Sequence, residues 1–325
     1  MAHTDAVGDS VALPNYAGEL FIIGNSYTRT PLLSMTGGLT GGRTTGTDTF
    51  VMGNFITLDA ASQSFCRAET DTITAPASDI YAPAQLTNYI ELQHRLFTIT
   101  YKKRSMASAI GGEAVVGEGI VDMGDPSKQR EAFLAQLAKD LEYSMLLGQG
   151  VDPATAATAG KTRGVITAMV ADGNTVVDAS GGVLTKDLVN SLEEAVLDQT
   201  GSINTPVIMG SSFQIQRLTE LYGYAPESAS IGGVTLRQIN LPTIGACSVV
   251  YDPALTGSTN GKYLALLDVS KIAPVFLPDP VFGSVFFEPL GKTGAAVSEQ
   301  LYCQFGVDYT SPIMHGCIKN LATSL

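Results

Sequence analysis

The clearest pattern of apolar and polar positions lies in residues 125–150, DPSKQREAFLAQLAKDLEYSMLLGQG. Apolar side chains recur there every three to four residues, at Phe133, Leu134, Leu137, Ala138, Leu141 and Met145. Polar side chains lie off this stripe, at Lys128, Gln129, Arg130, Gln136, Lys139 and Asp140. This spacing is typical of an amphipathic helix that buries one face. Asp125 suits the N-cap, Pro126 suits the first turn and Gly148 ends the pattern, so we predict a helix over 125–147, about 33 Å long.

The chain before this helix has a different character. The stretches 49–58, 64–74 and 86–101 are rich in β-branched and aromatic residues and predict strands. Together they predict a long two-stranded excursion, the extended loop, over residues 46–100. A hairpin alone is only marginally stable in water, so we expect this loop to lie on another surface. Residues 1–45, which run into the glycine-rich stretch TGGLTGGRTTGTDT, predict a flexible N-terminal arm.

The chain after the helix mixes helical and strand patterns. Helices are predicted over 184–201, with Thr185 as the N-cap, and over 211–223. Short strands are predicted at 205–210, 234–241, 246–252 and 262–268. We interpret residues 150–270 as one α/β domain. Residues 271–325 return to strands, which makes the fold class α+β.

Composition limits the classes of function. The chain has 325 residues, of which 45% are hydrophobic and 15% charged, and its net charge is −12. These values predict a large core, and the low charged fraction favours burial against other subunits. An acidic chain is unsuited to following the phosphates of a nucleic acid. We find no signal peptide and no apolar run of about 18 residues, so we expect synthesis in a cytoplasm and no membrane partner.

Cysteine and histidine residues give little sign of chemistry. The chain has four cysteines without a CxxC spacing, at Cys66, Cys247, Cys303 and Cys317. We interpret them as buried or partly buried free thiols, with a Cys303–Cys317 disulfide or a metal site that includes His315 as alternatives. We interpret His94 as a surface or interface residue and His315 as structural.

Other catalytic patterns fail on spacing. GDSV at 8–11 resembles the nucleophile block of small esterases, but no strand precedes it, and its distant partners would be Asp308 and His315. AGKT at 159–162 and LGKT at 290–293 lack the first glycine of a phosphate-binding loop. The adjacent acids Glu193 and Glu194 point apart on their helix. We therefore predict no enzyme activity, no catalytic or metal-binding residues and no cofactor.

Several stretches, taken in order, resemble the phage major capsid proteins of the Hong Kong 97 (HK-97-like) fold. LTNYIELQHRLFTITYKKRSMASAIGG resembles the family's Thr-Asn-Tyr run and strand pair, and KQREAFLAQLAKDLEYSMLLGQG resembles its spine helix. TRGVITAM, LTKDLVNSLEEAV and MGSSFQIQRLTELYG resemble its first peripheral segments. EPLGKTGAAVSEQLYCQFGVDYTSPIMHGCIKNL resembles its ending. The resemblance in sequence covers about residues 86–325. Residues 1–85 correspond to the family only in their predicted roles as arm and loop.

The resemblance implies a subunit that assembles into hexamers and pentamers, forming the icosahedral head shell of a tailed phage around double-stranded DNA. It implies five segments: an N-terminal arm (1–45), an extended loop (46–100), a peripheral domain (101–149) with the spine helix (125–147), an axial domain (150–270) and a return to the peripheral domain (271–325). The spine helix would pack its stripe on the strands of 272–307 and turn Lys128, Arg130 and Lys139 toward the genome without sequence specificity. Residues 223–233 would form the tip near the capsomer axis.

The resemblance also implies partners and two departures. A portal protein, a scaffold protein and cement or decoration proteins would join the shell, which would be a virion component assembled in the host bacterial cytoplasm. Lys102 is the first lysine in the chain, so we expect a shell without covalent cross-links through the extended loop. No acidic helical segment precedes the arm, so we expect a separate scaffold protein or none. The basic run from Lys102 to Arg104 is either a solvated strand end or a salt-bridge partner for a neighbouring subunit.

Two other classes of function remain open on sequence. One is the shell of an encapsulin-like nanocompartment, which shares the fold. The other is a soluble enzyme or carbohydrate-binding protein.

Overall fold

The computed structural model describes most of the chain from residue 30 onward. The described residues are 30–56, 58, 61–63, 66, 69, 80–102, 126–154, 158–223, 228–231, 234–292 and 294–324. Their helices are α1 (Pro31–Met35), α2 (Pro126–Leu147), α3 (Val165–Asp172), α4 (Lys186–Thr200), α5 (Ser212–Tyr222) and α6 (Gly257–Asn260).

The strands of the described residues fall into three sheets. Those before α2 are β1 (Arg43–Thr44), β2 (Thr49–Phe55), β3 (Ala84–Tyr89) and β4 (Glu91–Thr100). Those of the middle of the chain are β5 (Val176–Asp178), β6 (Pro206–Gly210), β7 (Ser228–Ile231), β8 (Val234–Leu241), β9 (Gly245–Tyr251) and β10 (Leu264–Asp268). The last are β11 (Ala273–Phe276), β12 (Val285–Pro289), β13 (Ala296–Asp308) and β14 (Gly316–Lys319).

A five-stranded sheet is built around β13. Strand β4 pairs antiparallel with one edge of β13, and β12 and β11 pair antiparallel with the first and second parts of the other edge. The short strand β1 continues the sheet parallel to β11. Helix α2 covers one face, where Phe133 packs against Phe97 with ring centroids 5.4 Å apart.

A seven-stranded mixed sheet follows the order β5-β14-β10-β6-β9-β8-β7. Its alternating side chains build two cores, because successive residues of a strand point to opposite faces. In β6, Ile208 belongs to the core with Leu192 of α4 and Leu218 of α5. Val207 and Met209 belong instead to the core that contains α2 and α3. This second core extends to the five-stranded sheet and joins the two sheets.

The structure confirms most of the predicted elements. Helix α2 matches the predicted bounds, and Thr185 caps α4 by accepting a hydrogen bond from Leu188 N at 3.4 Å. Ser211 caps α5 in the same way, and Gly223 ends it with a φ of 73°. The predicted N-cap, Asp125, and most of the predicted strand 64–74 lie outside the described residues.

Helix α2 differs from the prediction in its second half. Leu137, Leu141 and Met145 are buried as predicted. However, Glu142 and Leu146 are buried as well, because α1, α3 and the 3-10 turn Pro253–Leu255 pack around this end. The expectation that one stripe is buried and all other side chains are exposed to solvent is therefore wrong for the last two turns of α2.

The residues just before β2 also differ from the prediction of a flexible arm. Helix α1 is part of the core, and Leu32 and Leu33 are almost completely buried. The backbone then turns through Gly38 and Gly41, and β1 pairs with β11. Residues 30–45 have a fixed position because their apolar side chains pack into the same core as those of α2.

Two further differences concern strand partners. β4 belongs to the five-stranded sheet, so only β2 and β3 form the two-stranded excursion among the described residues. β14 pairs with β10 and β5, so the end of the chain joins the α/β sheet. Helix α3 begins at Val165, the fourth residue of TRGVITAM, and ends at Asp172.

Candidate assembly surfaces

The root of the extended loop is anchored by Asn88, which is fully buried in β3. Its side-chain amide donates to Arg163 O at 3.0 Å and to Val307 O at 2.8 Å. Its oxygen accepts from Arg163 N at 2.8 Å and from Tyr89 N at 2.9 Å. One side chain thus ties β3 to β13 and to the segment that leads into α3. The Asn of the Thr-Asn-Tyr run has a structural role that the sequence gives no means to predict.

The same root packs closely on β13. A side chain at Gly306 would place its Cβ 2.7 Å from the Phe50 ring and 2.9 Å from Ile90, so only glycine fits there. Arg43 forms an ion pair with Asp308 and donates to Val51 O at 2.8 Å. The base of the loop therefore lies in a fixed position on the five-stranded sheet.

Beyond this root, the described part of the extended loop exposes large apolar side chains. Ile56, Leu58, Ile80 and Tyr81 are all exposed, and Leu58 and Ile80 reach 73% and 84%. Clustered apolar exposure of this kind marks a surface that another chain covers. Cys66, in the same loop, is an exposed free thiol, contrary to the expectation that all four cysteines are at least partly buried.

One face of the five-stranded sheet is exposed along β4 and partly exposed along β12 and the first half of β13, and we call this part the open sheet face. It carries Leu92, His94 and Leu96 of β4, Phe286 of β12 and Tyr302 of β13. Leu92 and Leu96 are 55% and 52% exposed. Tyr302 lies between His94 and Phe286, with ring centroids 6.2 Å and 5.5 Å away. The prediction that His94 is a surface residue is confirmed.

The aromatic row of the open sheet face continues into a turn before β12. Phe282 stacks on Phe286 at 4.9 Å, and Val281 beside it is 80% exposed. Asp279 holds this turn by accepting from Val281 N and Phe282 N, and its backbone bridges to Gly283. The turn presents its apolar tip in a defined conformation.

Helix α2 is fixed to the opposite face of the same sheet by two ion pairs. Arg130 makes a two-pronged contact with Glu299 of β13 at 2.7 and 2.8 Å, and Asp140 pairs with Arg95 of β4. These pairs and the packing of Phe133 make the helix and sheet one stiff plate. Arg130 is therefore bound to the sheet while its side chain stays 46% exposed, and the expectation of a genome-facing surface remains a prediction.

The predicted acids do not combine into a catalytic site. Glu193 is buried and accepts a hydrogen bond from Thr243 N at 3.0 Å, whereas Glu194 is exposed, so the two point apart as predicted. His315 is buried and bonded to backbone groups, which confirms its structural role. Burial lowers the pKa of His315 to about 4. It stays neutral at physiological pH.

Three of the four cysteines are buried free thiols, at Cys247, Cys303 and Cys317. The alternative disulfide between Cys303 and Cys317 is absent. Burial raises the pKa of both of these thiols to about 12, which keeps them protonated and unreactive. Among the described residues, no three His, Cys, Asp or Glu side chains converge on a metal site.

Other surface features carry less chemistry. A pocket of about 330 Å³ lies between the C-terminal end of α2, α3 and α6 and is lined by Tyr143, Ile166 and Tyr263 among others. No helix in the described ranges is both long and apolar enough to cross a bilayer. GDSV at 8–11, Lys103 and Arg104 lie outside the described residues, and Lys102 is exposed.

A stiff plate with an apolar open face and a projecting apolar loop is the architecture of a shell-forming protein, here with the α+β HK-97-like fold. The chain belongs to the SU10 major capsid protein family, whose sequence profile matches residues 2–322. It is a phage head shell protein and a virion component that assembles with copies of itself. A comparison with curated proteins finds no match.

Solved structures share the fold at low sequence identity. The capsid of cyanophage A-1(L) is 13% identical with a TM-score of 0.62, covering 98% of this chain and 99% of the other. The SrpI encapsulin of Synechococcus elongatus PCC 7942 is 12% identical with a TM-score of 0.58, covering 95% and 94%. The capsid of a native GTA particle is 10% identical with a TM-score of 0.56, covering 99% and 100%.

Proposed function

We propose that this chain forms hexamers and pentamers that close into the icosahedral head of a tailed phage around double-stranded DNA. Assembly takes place in the host bacterial cytoplasm, with a portal protein, a scaffold protein and cement or decoration proteins as partners. The observation that carries the proposal is the pairing of two exposed apolar surfaces on one chain, the extended loop and the open sheet face. Both expose large apolar side chains in the described chain, and a repeating shell would cover both at once.

In this arrangement the extended loop of one subunit crosses the open sheet face of the next. Ile56, Leu58 and Ile80 supply the apolar side chains, and Leu92 and Leu96 receive them. The free edge of β4, which pairs with no strand in the described ranges, adds unpaired backbone groups beside this contact. Interfaces in permanent assemblies bury about 2,000–5,000 Å² and are strongly apolar, consistent with the low charged fraction of this chain.

The proposed domain layout keeps the five predicted segments and their boundaries, apart from two changes that the strand pairings support. The arm is 1–45, the extended loop lies within 46–100 and the peripheral domain is 101–149 with α2 as its spine. The axial domain is 150–270, and 271–325 returns to the periphery. The pairing of β4 with β13 supports ending the loop near Ile90, and the pairing of β14 supports assigning the chain end to the axial domain. Residues 223–233, which include β7, remain the proposed tip toward the capsomer axis.

The test replaces Leu92 and Leu96, the side chains of the open sheet face that contact the extended loop in this proposal. The double variant Leu92→Ser with Leu96→Ser should keep its helical signal and melting temperature, since both side chains are already exposed. It should yield only free subunits or capsomers by sedimentation and electron microscopy. The control is Tyr143→Ser, which changes an exposed aromatic residue on α2 and should still form particles. Normal particles from the double variant would show that the open sheet face is not an assembly surface.

An encapsulin-like nanocompartment is the second candidate, favoured by the structural likeness to the SrpI encapsulin. The two functions differ in cargo. Particles from a phage-producing lysate should protect double-stranded DNA of uniform length from nuclease. Particles that contain a cellular protein cargo and no such DNA would favour the compartment.

A further inference from the structure

Strand β2 contains a β-bulge at the base of the extended loop. Two consecutive residues of β3, Thr87 and Leu86, pair with Val51 and Gly53, so Met52 between them has no partner in the ladder. An extra residue of this kind bends its strand and increases the local twist. The bulge therefore sets the direction in which the hairpin of β2 and β3 continues.

The bulge lies where the loop passes from the core to the surface. Phe50 and Met52 are 4% and 7% exposed and belong to the core that contains α2. Ile56, a few residues further on, is 56% exposed, and Ile80 on the returning side is 84% exposed. A change of angle at the bulge would leave the buried root in place and would displace the exposed apolar side chains.

Arg43 connects this bulge to the five-stranded sheet. One terminal nitrogen of its guanidinium forms the ion pair with Asp308 at the end of β13, and the other donates to Val51 O at 2.8 Å. Val51 is the last paired residue of β2 before the bulge. The side chain of Asp308 is only 11% exposed and also accepts from Thr310 N at 2.8 Å, so its position is fixed. We call the two contacts of Arg43 the Arg43 clamp.

The clamp depends on the shape of an arginine side chain. A guanidinium carries five N–H donors in a rigid planar fork, so one group can hold a carboxylate and a carbonyl at a fixed angle. A lysine ammonium is a compact charge on a flexible stem and does not fix that angle. Arg43 is 44% exposed, so we expect its ion pair to add little to stability and to act mainly through geometry.

We propose that Arg43 is a positioning residue for assembly, which fixes the direction of the extended loop by holding the bulge of β2 to Asp308. The inference rests on the proposed function, in which this loop crosses the open sheet face of the next copy. Because the loop projects from the bulge, a small rotation there moves Ile56 and Ile80 away from the side chains that they would cover. The clamp therefore determines whether successive copies meet at one constant angle.

The first test measures the direction of the loop in unassembled subunits. Spin labels are attached at Asn54→Cys, just beyond the bulge, and at Thr98→Cys on β4, both exposed positions, in a Cys66→Ser background. The three other cysteines are buried, so only the two introduced thiols react. Double electron–electron resonance on labelled protein diluted with unlabelled protein should give one narrow distance distribution while Arg43 is present.

Arg43→Lys separates geometry from charge. It keeps a positive charge opposite Asp308 but loses the fork, so the distance distribution should widen or shift by several ångströms. The melting temperature should fall by less than about 4 °C. Arg43→Met should widen the distribution at least as much. The control is Arg217→Met, which removes the ion pair with Glu220 on α5 and should leave the distribution unchanged.

A wild-type distribution in both Arg43 variants would overturn the clamp. If Arg43→Met does not fold, Asp308→Asn takes its place, because it keeps an oxygen for Thr310 N and removes the charge that holds Arg43. It should also widen the distribution, and a wild-type distribution in this variant would again contradict the clamp.

The second test examines particles by electron microscopy. Arg43→Lys should give incompletely closed shells or particles of mixed diameter, whereas Arg217→Met should give particles of the wild-type diameter. Uniform particles from an Arg43 variant with a widened distribution would overturn the role in assembly. The measurement on subunits needs no contact between copies, so a failed clamp is distinguishable from a failed proposed function, which would appear as normal particles from the Leu92→Ser and Leu96→Ser double variant.

Discussion

His315 lies fully buried between β10, β13 and β14 and makes two hydrogen bonds to the backbone. Its Nδ1 accepts from Asp268 N at 3.2 Å, and its Nε2 donates to Tyr309 O at 3.0 Å. Only a neutral ring protonated on Nε2 satisfies both contacts. Protonation would place a second N–H against the Asp268 amide and a charge in the core.

We predict that His315 makes the subunit less stable in acid. Its pKa is about 4 in the fold and about 6.5 in an unfolded chain, so the unfolded state binds the proton first. The free energy of unfolding should therefore fall by about 3 kcal/mol as pH drops from about 6.5 to about 4, and this contribution should be constant above about pH 6.5. Denaturant titrations of the free subunit at several pH values measure it.

The matched variant for this prediction is His315→Gln. It retains one donor and one acceptor and has no titration in this range, so its pH profile should be flatter than that of the wild type. Carboxyl groups titrate in both proteins and cancel in the comparison. Parallel profiles would mean that His315 does not contribute to acid sensitivity.

The sequence supports roles for single residues only where the reason is local. His315 is assigned as structural because no partner chemistry lies nearby, which the structure confirms. Asn88 is visible only as one letter of a motif, because its partners lie 75 and 219 residues away in the chain. Glu142 has the pattern of an ordinary polar position of a helix, and nothing local reveals that it accepts hydrogen bonds from Leu32 N and Leu33 N of α1.

At the scale of elements, α2 shows which parts of a helix its sequence determines. Its bounds and its stripe follow from a local period of 3.6 residues and are predicted correctly. The ion pair of Arg130 with Glu299 depends on β13, more than 150 residues later, and cannot be predicted from the helix alone. The burial of the last two turns depends on α1, which the glycine-rich composition of the neighbouring residues places in a flexible arm.

We predict that the Arg130–Glu299 pair stabilises the plate of α2 and the five-stranded sheet. Arg130→Met leaves the buried carboxylate of Glu299 without its partner and should lower the free energy of unfolding by about 1–2 kcal/mol, a reduced value because Arg130 is nearly half exposed. Adding Glu299→Gln should recover part of the loss, since no unpaired charge then remains. Lys139→Met on the same helix should change stability by less than about 0.5 kcal/mol.

Denaturant unfolding of the single and double variants measures these differences. Equal losses for Arg130→Met and Lys139→Met would show that the ion pair is not what holds the helix on the sheet. A double variant less stable than Arg130→Met would show that the cost arises from packing of the arginine stem on Phe287, over whose ring its guanidinium lies at 6.0 Å.

At the scale of the whole molecule, the order of elements along the chain is predictable and the assembly of sheets is less so. Alternating helix and strand patterns predict an α/β unit over residues 150–270, because each element's period is local. The crossing of β14 back into that unit, and of β4 into the other sheet, depends on pairings between distant strands. The two apolar assembly surfaces also emerge only from the structure, because exposure is a property of the folded chain.

The absence of lysine before Lys102 leads to a prediction about the finished shell. A covalent cross-link between a lysine amine of the extended loop and a neighbouring side-chain amide or carboxyl needs a lysine in that loop, and residues 46–100 contain none. We therefore expect the shell to be held by burial of apolar surface and by hydrogen bonds, without covalent links through this loop. Mature particles that are boiled in detergent and reductant should release a single band near 34 kDa.

The exposed thiol of Cys66 requires a control in the same experiment. Two such thiols on neighbouring loops can oxidise during purification and mimic a covalent ladder, so particles should be alkylated before denaturation and run with and without reductant. Bands that disappear with reductant or alkylation arise from Cys66. A ladder that persists through both treatments would contradict the prediction and would place a cross-linking lysine outside the extended loop, with Lys102 at its root as the first to replace by arginine.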